Sequence, residues 1–123
     1  MRYLTDRKRA QGTGSGRQGT EHHWKMLVSS ILMVLVVPLF IFVFGAGFSG
    51  SYEDVLAYFG RPFPAIVTGL TVTVIILHVM REAHEAIEDY MHGVPERLAL
   101  IGSTAMAYTM IVTAIFALIK LAL

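Results

Sequence analysis

The stretch AIVTGLTVTVIILHVMREAHEAIEDY, residues 65–90, decides how this chain folds. Through Leu77 it carries no charge, and beyond that point His78, Arg81, Glu82, His84, Glu85, Glu88 and Asp89 follow with no Gly or Pro until Gly93 and Pro95. An apolar run that turns polar without a breaker reads as one helix that begins in hydrocarbon and ends in water.

Two further runs flank it. Residues 26–48 hold no charge, and residues 98–121 hold none until Lys120. About 20 apolar residues at a rise of 1.5 Å cross a hydrocarbon layer of ~30 Å, so each run is long enough to span a bilayer. The first run also exceeds the roughly 7 to 15 residues of a signal-peptide core. The composition agrees, since 54% of the 123 residues are hydrophobic and 15% charged, which leaves too little interior in a soluble domain of this size. The expected fold is therefore all-α, an integral membrane protein with helices at about 26–48, 65–90 and 98–121 forming one transmembrane domain over 26–123. Residues 1–25, rich in Arg, Gly, Ser, Thr and Gln, read as a flexible basic arm. Pro38 is expected to kink the first span, and the loop over 51–64 to include one short helical turn.

Basic residues are unevenly spread. Arg2, Arg7, Lys8, Arg9, Arg17 and Lys25 in the arm and Arg81 and Arg97 around the second loop outnumber Arg61 and Lys120 on the other side. Positive charge is retained on the cytoplasmic face, so the N-terminus and the second loop are expected there. The chain has no cysteine. That excludes cysteine-ligated iron–sulfur clusters, thioether-linked haem and disulfides, and leaves histidine as the natural holder of a redox group. No internal repeat, nucleotide-binding loop or zinc spacing is present, and nucleic acid is not an expected partner.

His78 is the only His, Lys, Arg, Asp or Glu well inside any span, about 13 residues or ~20 Å from the start of its helix. Such a group is costly in hydrocarbon and needs a partner. Haem iron is one, and a hydrogen bond to a neighbouring helix is the plainer alternative. At 100° per residue, Glu82, Glu85 and Asp89 fall within about 40° of the His78 direction, Arg81 within about 60°, and Tyr90 about 120° away. An ordinary solvated helix end would look the same. The functional alternative has Arg81 pairing a haem propionate and Asp89 with Tyr90 offering polar groups to a quinone.

His78, ten intervening residues and then Asp89-Tyr90 resemble the signature of the smaller membrane anchor subunit of succinate dehydrogenase. The resemblance extends to Glu21-His22-His23-Trp24 before the first span, to Tyr3 through Ala10 in the arm, and to Glu88 through Gly93, so it covers nearly the whole chain. It implies that His78 is an axial ligand of haem b and hence of its iron. It also implies that Tyr90 hydrogen-bonds a ubiquinone carbonyl with support from Asp89. The implied partners are a larger cytochrome b anchor that shares the haem, an iron–sulfur subunit and a flavoprotein, in a bacterial inner membrane. One departure stands out. Members often have an Arg followed two residues later by Ser or Thr early in the first helix, where this chain has Leu27 and Ser29, and Lys25 lacks the planar fork of the missing guanidinium.

Neither the first nor the third span contains a His, and His84 points about 120° from His78, so a second axial ligand has to come from another chain. His22 and His23 with Trp24 read as an interfacial belt, with contact to a haem propionate or to the iron–sulfur subunit as the alternative. The expected function is that of a membrane anchor that does not itself oxidise succinate, passing electrons from succinate to quinone. The rivals are an anchor of a fumarate reductase and a small proton-conducting channel or transporter subunit.

Overall fold

A computed structural model describes residues 3–14 and 19–123; Arg2 and Arg17, counted above toward the basic arm, lie outside them. Among the described residues every regular element is an α-helix: α1 Asp6–Gln11, α2 Gly19–Ala46, α3 Tyr52–Phe59, α4 Pro62–Tyr90 and α5 Val94–Ala122. Three of these, α2, α4 and α5, are long and apolar enough to cross a membrane.

The helices outrun the apolar runs. The arm expected over 1–25 is helical in two places, in α1 and in the first turns of α2, which starts seven residues before Met26. Thr5 caps α1 by accepting from the Lys8 amide, and Glu21 pairs with Lys25 one turn on, at 2.9 Å, in the leading turns of α2. Polar residues without a breaker carry a helix out of the membrane, but they leave no trace in a hydrophobic pattern. Helix α4 begins at Pro62 rather than 65, because proline at the first helical position gives up no intrahelical bond. Helix α5 begins at Val94, just after Gly93 turns the chain at φ 76°. Helix α2 continues through Pro38.

Helix α4 is the centre of the molecule. It packs against α2 on one side and α5 on the other, whereas α2 and α5 do not touch, so the three spans form an open layer. The outer helices bury little: Ser29 and Val43 in α2, Ala107 and Ile111 in α5. Side chains such as Phe42, 78% exposed, and Phe116, 67% exposed, face outward, as lipid or partner helices require.

The first loop is a stapled corner. Ser51 and Asp54 form a capping box at the start of α3, and the Tyr58 hydroxyl donates to the Val43 carbonyl at 2.5 Å. Phe59 packs against Phe44 and Phe48, with ring centres 5.4 and 5.8 Å away. Gly47 makes this approach possible, because a Cβ there would come within 2.7 Å of both Phe59 and Tyr58.

Candidate redox site on the central helix

Two imidazoles of α4 reach in different directions. His78 turns toward α2: its Nδ1 lies 2.9 Å from Ser29 Oγ, and its Nε2 lies 3.0 Å from Glu82 Oε1, one turn further along α4. Its side chain is only 12% exposed, whereas that of Glu82 is 60% exposed. Ser29 is itself buried, and its hydroxyl is within 2.9 Å of the Met26 carbonyl. His84 turns toward α5, where its Nε2–H donates to Thr104 Oγ1 at 3.1 Å while the Thr104 hydroxyl donates to the Leu100 carbonyl at 2.7 Å. The helical angle that separates the two histidines thus assigns one to each neighbouring helix.

A second tie joins the polar ends of α2 and α4. His22 Nε2–H donates to Glu85 Oε1 at 2.7 Å. Glu85 and Glu82 are three residues apart, so the seam between α2 and α4 carries His22, Glu85, Glu82, His78 and Ser29. Sequence spacing places the three α4 members on one face, but it gives no sign that His22 and Ser29 meet them from the other helix. For Ser29 the one hint is the resemblance, whose pattern often has Ser or Thr at this place.

Arg81 leaves the seam. It lines a groove of about 260 Å³ with Trp24, Lys25, Val28, Ser29, Leu32, Val74 and Leu77. Lys25 is paired with Glu21, while among the described residues the Arg81 guanidinium makes no hydrogen bond or ion pair. A cation, an indole and apolar walls at the end of a span form a mouth suited to an anionic group on an apolar body.

Asp89 and Tyr90 close α4. Both are exposed, Tyr90 at 88%, and neither side chain hydrogen-bonds to another described residue, so the phenol and the carboxylate are free to meet something outside the chain. His23 and His92 are likewise exposed. No group of three His, Asp or Glu side chains gathers among the described residues to hold a metal ion. A porphyrin supplies four nitrogens of its own and asks for only one imidazole from each side. His78, its side chain 12% exposed and with a carboxylate that is 60% exposed before its Nε2, offers one such imidazole.

The family model described as succinate dehydrogenase/fumarate reductase transmembrane subunit matches residues 1–120. A protein of Paracoccus denitrificans named succinate dehydrogenase hydrophobic membrane anchor subunit is 42% identical over 123 residues, covering 100% of this chain and 95% of that protein. No solved structure matches the chain.

Proposed function

Because the chain belongs to the family of succinate dehydrogenase and fumarate reductase transmembrane subunits, we propose that it is the haem- and quinone-binding membrane anchor of a succinate:ubiquinone oxidoreductase. It is a multi-pass protein of the bacterial inner membrane. The succinate direction rests on the full-length likeness to the Paracoccus anchor. The observation that carries the cofactor reading is His78: an imidazole inside a span, held at Nδ1 by Ser29, with Nε2 facing a carboxylate that is more than half exposed.

In this reading His78 would hold haem b through Nε2, with Glu82 turned toward water. The larger anchor subunit supplies the second ligand. Arg81, unpaired in its groove beside Lys25, neutralises a propionate. The haem, when bound, supplies a one-electron store close to the quinone. Tyr90 donates a hydrogen bond from its phenol to a quinone carbonyl oxygen, and Asp89 next to it supports that contact. Reduction to quinol takes two electrons, which arrive through the iron–sulfur subunit from the flavoprotein, and two protons. Glu82, Glu85, Glu88 and Asp89, with His84, are the groups toward that end of α4 that can relay the protons. The basic arm and the α4–α5 turn lie on the cytoplasmic side, where the soluble subunits dock.

The test is purification through a tag on this chain from cells that express its native partners. Succinate–quinone reductase activity and a b-type haem spectrum in the same fraction support the reading. A tagged chain that brings down neither haem nor flavoprotein overturns it.

A further inference from the structure

We propose that Ser29 is the positioning residue of the haem ligand, a hydroxyl that serves His78 in both of its tautomers. The inference rests on the assignment of His78 as an axial ligand, and its argument comes from the three oxygens around the ring and around Ser29. Without iron, a neutral His78 best carries its proton on Nε2, which donates to the Glu82 carboxylate at 3.0 Å. Nδ1 then has a lone pair, and the Ser29 hydroxyl 2.9 Å away donates to it.

Coordination through Nε2 reverses the demand. That nitrogen must give its lone pair to the metal, so the ring proton moves to Nδ1, and Nδ1–H needs an acceptor. Ser29 meets the new demand by rotating one bond. Its proton turns to the Met26 carbonyl, already within 2.9 Å, and its oxygen accepts from Nδ1–H. The ring keeps its charge and the backbone does not move. Met26 O loses nothing in the other state, because the Ser30 hydroxyl donates to it at 2.9 Å throughout.

Only a residue that both donates and accepts can do this. Alanine would leave Nδ1–H buried against α2 with no partner, since Ser29 is 6% exposed and His78 nearly enclosed. An outer partner of a ligating histidine fixes its ring orientation and raises its basicity, and its loss costs about 10- to 100-fold in affinity for the metal group. The same partner, by making the imidazole a stronger electron donor, lowers the reduction potential of the iron.

The experiment uses the whole complex carrying Ser29→Ala, Ser29→Cys, Ser29→Thr or His78→Ala in this chain. Haem retention, midpoint potential and the electron paramagnetic resonance spectrum of the oxidised haem are measured. Ser29→Ala is expected to weaken haem retention on the order of tenfold, raise the potential and shift the resonance. Ser29→Thr, which keeps the hydroxyl, restores all three. Ser29→Cys keeps the packing with a poor acceptor and moves the potential in the same direction as Ala, which preserves the test if the alanine variant does not assemble. Unchanged retention, potential and resonance in the Ala or Cys variant, with haem lost in His78→Ala, overturns the role of Ser29 and leaves the axial assignment standing. Haem unchanged in His78→Ala overturns the axial assignment itself.

Discussion

Ser29 Oγ and His78 Nδ1 lie 2.9 Å apart although 49 positions separate them in sequence. This contact sits where α2 crosses the polar half of α4. It gives an imidazole in a span, costly by itself, a hydrogen-bond partner on the neighbouring helix. The opposite ring nitrogen meets only Glu82, which its own helix supplies and which solvent already reaches.

On the proposed assignment of His78 as a haem ligand, Glu82, 3.0 Å from Nε2, would compete with iron for that nitrogen and contribute nothing once it is occupied. Glu82→Ala is therefore expected to retain haem and to bind added haem about fivefold more tightly, the factor given by a lost hydrogen bond worth ~1 kcal/mol. Haem titration of depleted complex checks this, and weaker binding would mean that Glu82 supports the ligated state.

Tyr90→Phe removes one hydroxyl from an exposed helix end and disturbs no contact within the described chain. Quinone reductase activity is expected to fall about tenfold, as loss of ~1.4 kcal/mol of transition-state hydrogen bonding would give. Succinate oxidation with a soluble artificial acceptor should stay at the wild-type rate. Parallel loss of both activities would show damage to assembly rather than to the quinone site.

His22 is committed to Glu85 at 2.7 Å, with both side chains about half exposed. An exposed pair of this kind contributes roughly 0 to 1 kcal/mol. His22→Ala is thus expected to leave the haem potential unchanged and to lower thermal stability only slightly. A clear shift in potential would instead make His22 a propionate contact.

Asp54 gains two hydrogen bonds from Ser51, first from its backbone amide and then from its hydroxyl, and they hold its carboxyl below the ordinary aspartate range. A carboxyl whose folded pKa is depressed stabilises the fold above its unfolded value, and that contribution disappears as pH falls through the folded value. Protection of the α3 amides against hydrogen exchange is expected to hold at neutral pH and to weaken below about pH 4. In Ser51→Ala that protection should be reduced about fivefold at neutral pH; equal protection in the two proteins would contradict the cap.

The three spans were legible because hydrophobic runs of sufficient length leave few alternatives, and α4 was legible to its last residue because nothing in 78–90 breaks a helix. Helix starts were not. Gly19–Lys25 and Pro62–Pro64 carry no continuous apolar run, and what reveals them is the Glu21–Lys25 pair in the first and proline at the first helical position in the second. The divergence of His78 and His84 followed from the 100° step of a helix. Their partners did not, since a Ser or Thr in a span reads equally well as packing until a neighbouring helix is placed against it. The same limit hid His22 and Glu85, two polar residues at helix ends with no register between them in sequence. Arg81 falls about 60° to one side of His78 and Glu82 about 40° to the other, which explains why the guanidinium opens into a groove of its own while the carboxylate stays with the imidazole.

The central claim is that His78 ligates haem, and the most direct test is the reduced-minus-oxidised optical spectrum of the complex purified through His78→Ala, beside wild type. All partner subunits should remain present in equal amount. The b-type haem signal is expected to disappear or to shift markedly in the variant while succinate oxidation with a soluble acceptor continues. Equal haem content with an unaltered spectrum would contradict the account.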